Sequence, residues 1–289
     1  MVAMACALPR ARDQPLSRYS TGDLARVIST DPAAPPLSRS TIWRILDRHA
    51  LKPWRSRSWL VPRDPAFATK AGRVLDLYAG VWEGAPLGAD DSVLSADEKT
   101  SIQARGRRHP STPPGPGAPM KVEHEYSRGG ALAYLAAWDV RVGGVIGRCE
   151  ATTGKAAFGR LVDQVMAQAP YRTANRVFWI VDNGSSHRGA KAAAAVAARH
   201  PNVIIVHLPV HASWLNQIEI YFSILQRKVL TPNDFADLAA VDDRLTAFAD
   251  QYNDTAVPFN WRFRRADLDA RLAALPLLVP TGNAESEAA

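Results

Sequence analysis

The chain has 289 residues, enough for one large domain or two smaller ones with a buried core. Lys and Arg exceed Asp and Glu by 35 − 28 = 7, and 47% of the residues are hydrophobic, which excludes a wholly disordered protein. No apolar run reaches the roughly 18–20 residues that span a bilayer, and two cysteines cannot form a disulfide framework. These features predict a soluble protein of a reducing compartment, the cytoplasm.

The positive charge is concentrated near the start of the chain. Residues 1–64 hold 11 Lys and Arg against 5 Asp and Glu, a net charge of 11 − 5 = +6, whereas the other residues hold 24 against 23. Clustered positive charge is typical of proteins that neutralise phosphates, although many basic surfaces are only solvated. The distribution predicts a basic module joined to a larger, nearly neutral one.

Two amphipathic segments in the basic module predict helices. The first begins after Ser20, and the second runs from Ser38 to His49 with one buried side and one basic side. A basic, aromatic extended segment follows, as in a helix-turn-helix with a wing, and a helical hairpin with a solvated basic face is the alternative. The side chains predicted to contact DNA are Arg39, Ser40, Thr41, Trp43, Arg44, Arg55 and Arg57.

The rest of the chain alternates between strand and helix patterns. A connecting helix is predicted over 66–80, a first strand over 93–98, and a loop with five prolines over 104–119. The further predicted elements are a hairpin of strands 131–139 and 142–149, helices 154–168, 188–199, 212–229 and 237–253, and parallel strands 177–181 and 203–206. This order predicts an α/β protein with a mixed sheet flanked by helices.

Three carboxylates occupy positions where such a sheet places its ligands. Asp97 lies on the first strand, Asp182 follows an apolar strand at its carboxyl end, and Glu219 lies on the polar side of the long helix. Three oxygen donors without a trio of Cys or His favour Mg²⁺ or Mn²⁺, and two such ions suit an in-line phosphoryl displacement. Asp97 is predicted to bridge the two ions, while Asp182 and Glu219 each hold one.

Each of these acids also has an ordinary structural explanation. An Asp at a strand end is often a turn former, and a helical Glu is usually solvated. Rival acids are Glu98, Asp139 and Asp163. A Ser–His nucleophile within residues 185–187 is a competing chemistry, which the absence of a Gly-x-Ser-x-Gly elbow disfavours.

The motifs around the three acids resemble those of a known family. Ala96-Asp97-Glu98-Lys99, Val181-Asp182-Asn183 and Leu215-Asn216-Gln217-Ile218-Glu219 are similar to segments of the DDE transposases of the insertion-sequence 630 group, which are related to Tc1/mariner elements. The second and third acids are separated by 219 − 182 − 1 = 36 residues, close to the mid-thirties spacing of that superfamily.

The resemblance implies an RNase H-like fold for the larger module, with Asp97, Asp182 and Glu219 as the catalytic, metal-binding triad. It implies a nucleoid-associated homodimer that cleaves double-stranded DNA at terminal inverted repeats. The freed 3′-hydroxyl would then attack target DNA at a TA dinucleotide. Asn183, His187 and Asn216 match family positions near the site.

Two alternatives accompany the transposase hypothesis. Family members usually carry a further helix-turn-helix before the one seen here, so the chain could be a truncated or catalytically inactive remnant that only binds DNA. A host nuclease of the same fold is the other alternative. The predicted domains are a partial helix-turn-helix module at 1–64, a linker helix at 65–90, a catalytic domain at 91–256 and a C-terminal extension at 257–289.

Overall fold

The structure is a computed structural model that describes residues 1–32, 34–56, 62, 64–184 and 190–275. The chain divides into two compact units, Met1–Val61 and Pro62–Ala289. None of the helices in the described ranges has the length and hydrophobicity of a membrane span. The functional division into four segments stays a prediction.

The first unit is a small helical module, and both of its predicted helices are present. Two short elements that were not predicted come first, α1 (Val2–Ala5) and a 3₁₀ helix (Pro9–Arg12). They precede α2 (Thr21–Ser29) and α3 (Arg39–Arg48). The predicted starts of the two main helices are confirmed, each directly after a serine.

Those serines cap the two helices, which pack together through apolar side chains. The Ser20 hydroxyl accepts a hydrogen bond from the Asp23 amide (3.1 Å), and the Ser20 amide donates to the Asp23 carboxylate (3.0 Å). The Ser38 hydroxyl accepts from the Thr41 amide at 3.2 Å. These bonds satisfy amides that have no partner within the helix. The core of the unit includes Tyr19, Leu24, Ile28, Ile42 and Leu46.

The segment after α3 does not form a wing strand within the described residues. Residues 51–56 form a turn and irregular backbone, and the Arg55 amide closes the turn by donating to the Lys52 carbonyl at 2.8 Å. Pro53 lies inside this turn and has no amide to pair in a ladder, which explains the bend. The rest of the predicted wing, including Arg57, lies outside the described residues.

A five-stranded mixed sheet forms the centre of the second unit. In chain order, the strands of this unit are β1 (Val81–Trp82), β2 (Ala85–Pro86), β3 (Asp91–Gly106), β4 (Ser127–Asp139), β5 (Val145–Glu150), β6 (Arg176–Val181) and β7 (Val203–His207). β1 and β2 form a separate small hairpin, and the main sheet has the order β5-β4-β3-β6-β7. β3–β4 and β4–β5 are antiparallel, whereas β3–β6 and β6–β7 are parallel. The predicted hairpin and the predicted parallel crossover are both confirmed.

Helices cover both faces of this sheet. The helices of the unit are α4 (Phe67–Tyr78), α5 (Lys155–Met166), α6 (Ala190–Arg199), a 3₁₀ helix (Ser213–Leu215), α7 (Ile218–Lys228), α8 (Leu238–Asn253) and α9 (Arg265–Ala273). α5 and α6 pack on one face, and α4, α7 and α8 pack on the other. The central strands are therefore apolar on both sides, which is why 177–181 has no hydrophobic alternation. The predicted α/β class is confirmed.

Three elements differ from the prediction. β3 continues to Gly106, so residues 104–106 are strand and not loop, because the first proline comes only at Pro110. α7 begins at Ile218 instead of residue 212, since Asn216 has extended backbone angles (φ −82°, ψ 109°) that a helix does not accept. α9 is a regular helix inside the segment that was predicted as a C-terminal extension.

Candidate active site

Asp97 and Asp182 lie at matching positions of two adjacent parallel strands. The β3–β6 ladder ends with Ser95 opposite Ile180, and Asp97 and Asp182 each come two residues later. Residues two apart on a strand point to the same face, and neighbouring strands are about 4.8 Å apart. The register therefore places Asp97, in the middle of β3, beside Asp182, which directly follows the carboxyl end of β6, where open α/β sheets bind their ligands.

Glu219 approaches this region from the start of α7. It lies in the first turn of the helix and is exposed, whereas the apolar residues Ile218, Phe222 and Leu225 of the same helix are buried. A carboxylate in a first helical turn also interacts favourably with the positive end of the helix dipole. The predicted exposed placement of Glu219 is confirmed.

The pKa of Asp97 is affected by the charges of the other two acids. The pKa of Asp97 is raised to about 7, chiefly by burial and further by the negative charges of Asp182, Glu98 and Glu219, while a hydrogen bond from the Glu98 amide acts in the opposite direction. Like charges act in this way only when they are close to the group, because their effect declines with distance. The site thus gathers several negatively charged side chains around the half-buried carboxylate of Asp97.

Asn216 is wholly buried and precedes α7, whereas the helix predicted over 212–229 included it. Its side-chain amide donates to the Asp97 carboxylate (3.2 Å) and to the Ala96 carbonyl (3.1 Å), and its Oδ1 accepts from the Ser95 hydroxyl. The predicted position of Asn216 near the site agrees with these contacts. Ser95 was missed, because nothing in the sequence distinguishes one serine on a strand from another.

The turn after β6 is built closely around Asp182. Its Oδ1 accepts a hydrogen bond from the Gly184 amide at 2.7 Å, and a Cβ at position 184 would lie only 2.8 Å from that oxygen. Asn183 donates from its side chain to the Leu208 carbonyl at 2.6 Å, which ties the turn to the end of β7. The third residue predicted near the site, His187, lies outside the described residues, as do Ser185 and Ser186.

The donor set at this site is suited to a hard divalent cation. Within the part of the chain that the structure describes, no three His, Cys, Asp or Glu side chains are already arranged as a metal centre. The carboxylate chemistry nevertheless fits, because Mg²⁺ and Mn²⁺ prefer oxygen ligands and a cation would relieve the repulsion on Asp97. Asp97, Asp182 and Glu219 are the residues that could hold such ions.

Two of the rival acids have structural partners instead. Asp139 accepts hydrogen bonds from the Tyr171 hydroxyl (2.9 Å) and the Arg141 amide (2.8 Å) at the end of β4. Asp163 shares a hydrogen bond of 2.7 Å with the His200 ring and forms an ion pair with Arg199 at 3.5 Å. These contacts explain both carboxylates as parts of the fold.

The predicted DNA-contacting residues on α3 are mostly exposed. Arg39, Ser40, Trp43 and Arg44 are exposed, as is Arg55 after the helix, while Thr41 is half-buried. Thr41 shares a hydrogen bond of 2.9 Å with the Ser38 hydroxyl, so its side chain belongs to the helix cap. The basic face is therefore available on α3, and its contact with DNA stays a prediction.

Comparison with known proteins identifies the family. A sequence profile described as DDE superfamily endonuclease matches residues 92–242, which contain all three acids. The chain belongs to the DDE superfamily of endonucleases. No curated protein matches the sequence significantly.

The fold of this DDE endonuclease is similar to that of a solved structure. A Mos1 mariner paired end complex with Mn is 16% identical, with 82% of this chain and 73% of that chain covered and a TM-score of 0.50. A Mos1 transposase paired-end complex with left transposon end is 13% identical, with 84% and 74% covered and a TM-score of 0.49. The predicted RNase H-like arrangement of a mixed sheet flanked by helices is thereby confirmed.

Proposed function

We propose that this DDE endonuclease is a transposase, which cuts DNA at the ends of a mobile element and joins the freed 3′-hydroxyl to target DNA. The proposal depends chiefly on the matched positions of Asp97 and Asp182 on adjacent parallel strands, with the charge of Glu219 acting on Asp97. Membership in a family of endonucleases supports phosphodiester chemistry at this place. The catalytic role of the three acids stays a prediction.

Asp97, Asp182 and Glu219 would hold two Mg²⁺ or Mn²⁺ ions through their carboxylate oxygens. When bound, such ions lower the pKa of a water and stabilise the negative charge on the reacting phosphate. Asp97 would contribute to holding the ions together with the other two acids, because the charges of both act on it. The Gly184 amide would keep Asp182 oriented through its hydrogen bond to Oδ1.

Each step of the proposed reaction forms one P–O bond and breaks another. In cleavage, a water oxygen bonds to phosphorus, the P–O3′ bond breaks, and the released 3′ oxygen takes up a proton. In strand transfer, that 3′-hydroxyl bonds to a target phosphorus, and the 3′ oxygen of the target leaves with the proton. Since the second step exchanges one P–O bond for another, it needs no external energy source.

The partners of this activity would be element-end DNA and target DNA. The exposed basic face of α3 supports DNA binding by the first unit, in which Lys and Arg outnumber Asp and Glu. The related Mos1 structure is a paired end complex, which supports a homodimer of this chain on two ends. A TA target and a location at the nucleoid complete the proposal and depend on the family resemblance alone.

Nicking of element-end DNA tests the proposal. Wild-type protein with Mg²⁺ should nick the DNA, and Asp182→Asn should reduce the rate by at least about a hundredfold while leaving DNA binding intact, because binding is assigned to the first unit. Asp243→Asn makes the same charge change at an exposed position of α8 and should nick like wild type. Equal nicking by Asp182→Asn and wild type would refute the assignment.

The same experiment decides the alternative function. Strong, salt-dependent binding of element-end DNA without nicking in Mg²⁺ or Mn²⁺ would identify a catalytically inactive DNA-binding remnant. The intact set of three acids favours the active enzyme.

A further inference from the structure

Two buried polar side chains connect the strand that carries Asp97 to the helix that carries Glu219. Ser95 is 0% exposed and Asn216 is 1% exposed. Burying such groups costs about 1–3 kcal/mol each unless hydrogen bonds replace those to water. Their positions therefore require an explanation in terms of the bonds that they make.

The hydrogen bonds of Ser95 and Asn216 join β3 to the start of α7 in both directions. The Ser95 hydroxyl donates to Oδ1 of Asn216 and accepts from the Ile218 amide at 3.1 Å. The side-chain amide of Asn216 then donates back to β3, to the Ala96 carbonyl at 3.1 Å and to Oδ2 of Asp97 at 3.2 Å. Residues 121 positions apart in the chain are thereby fixed to each other.

We propose that Ser95 and Asn216 are positioning residues, which hold the carboxylates of Asp97 and Glu219 in the arrangement that binds the metal ions. The inference rests on the proposed function. Neither residue touches the reacting atoms, and each acts through an acid.

The effect on Asp97 is direct. Its Oδ2 accepts from Asn216 (3.2 Å) and its Oδ1 accepts from the Glu98 amide (2.8 Å), so both oxygens have a donor that fixes the plane of the carboxylate. Each carboxylate oxygen has a second lone pair, which remains available for a cation. Hydrogen bonds to a ligating carboxylate commonly decide metal affinity in this way.

The effect on Glu219 passes through the backbone. Ile218 is the first residue of α7, and its amide is one of those that a helix start leaves without a partner in the helix. The Ser95 hydroxyl accepts from this amide and so fixes the first turn, in which Glu219 is the next residue. One serine thus connects the strand that carries Asp97 to the first turn of the helix that carries Glu219.

Metal binding and thermal stability, measured together, test this inference. Ser95→Ala and Asn216→Ala should each bind Mn²⁺ about tenfold to a hundredfold more weakly than wild type, by calorimetry or by Mn²⁺ electron paramagnetic resonance. Their nicking rate at a fixed, subsaturating Mg²⁺ concentration should fall, and excess Mg²⁺ should restore part of it. Their affinity for DNA should not change. Ser95→Ala removes only one oxygen, so it provides the test even if Asn216→Ala does not fold.

Asn253→Ala is the matched control. It also removes two bonds between a helix and a strand, since Asn253 of α8 donates to and accepts from the Val145 backbone at 2.8 Å each. This variant should lose thermal stability and keep wild-type Mn²⁺ affinity. If Ser95→Ala and Asn216→Ala behave like Asn253→Ala, the pair has only a structural role and the inference is wrong. If wild-type protein neither binds Mn²⁺ nor nicks DNA, the proposed function fails first and the inference with it.

Discussion

At the scale of the residue, the main feature is Asp97, whose surroundings disfavour the ionised form of its carboxylate. Burial and three neighbouring acids raise the pKa of Asp97 from its ordinary value of 3.8 to about 7. A folded-state pKa above the unfolded value means that the protonated form of Asp97 favours folding. This contribution is full below pH 3.8 and is lost as the pH rises through about 7. In the absence of metal the ionised site therefore weakens the fold.

A neutral side chain at position 97 should relieve this repulsion. In EDTA at pH 8, Asp97→Asn is expected to raise the free energy of unfolding by about 1–3 kcal/mol over wild type, and the gain should disappear by about pH 4. Urea unfolding followed at both pH values measures the difference. A less stable Asp97→Asn protein at pH 8 would contradict the electrostatic explanation.

At the scale of the element, an ion pair joins the two strands whose register places Asp97 beside Asp182. Asp91 and Arg176 are opposite each other at the start of the β3–β6 ladder. The Arg176 guanidinium donates hydrogen bonds to the two carboxylate oxygens of Asp91 at 3.0 and 2.5 Å. The hydrogen bonds from Arg176 lower the pKa of Asp91 to about 2. A slip of one residue here would move Asp97 to the opposite face from Asp182.

Removing this pair should cost stability in a pH-dependent way. Because the pKa of Asp91 is lowered, its contribution is present above pH 3.8 and is lost as the pH falls towards 2. Asp91→Asn should therefore destabilise the protein by about 2 kcal/mol at pH 7 and by about half as much at pH 3. Urea unfolding at the two pH values checks this, with Asp90→Asn as the exposed, neighbouring control. An equal loss at both pH values would exclude the ion pair as its cause.

Local sequence patterns predicted most of the helices and strands. Where the structure differs from those predictions around the site, contacts between residues far apart in the chain explain the difference. The spacing of apolar residues gave the buried stripe of α7 and the exposed position of Glu219. The same pattern started the helix 218 − 212 = 6 residues too early, because Asn216 has the polarity of a surface residue and is held in the core by Ser95 and Asp97. That partnership depends on the folded sheet, so no local signal could reveal it.

At the scale of the whole molecule, charge is divided unequally between the two units. In residues 1–64 Lys and Arg exceed Asp and Glu by 11 − 5 = 6, and α3 carries exposed arginines. Clustered cations release counterions when they neutralise phosphates, so affinity for DNA should depend steeply on salt. The remaining residues hold 24 Lys and Arg against 23 Asp and Glu, so the salt dependence is expected to come from the first unit.

Replacement of Arg44 tests whether the first unit binds DNA through α3. Arg44→Ala should weaken DNA binding and lower the magnitude of the slope of log affinity against log salt by about 1, because one phosphate contact is lost. Arg26→Ala is the control on α2, and its effect should be smaller since this guanidinium is paired with Asp23. Fluorescence anisotropy over a range of salt concentrations gives both slopes. An unchanged slope for Arg44→Ala would remove the α3 face from the interface.

The location of bound metal is the most direct test of the account. Crystals of the protein grown with Mn²⁺ should show anomalous scattering between Asp97, Asp182 and Glu219, with carboxylate oxygens of all three within about 2.5 Å of an ion. Scattering that is absent from this place, or ions bound without Asp182 or Glu219, would contradict the claim that these acids form one metal site.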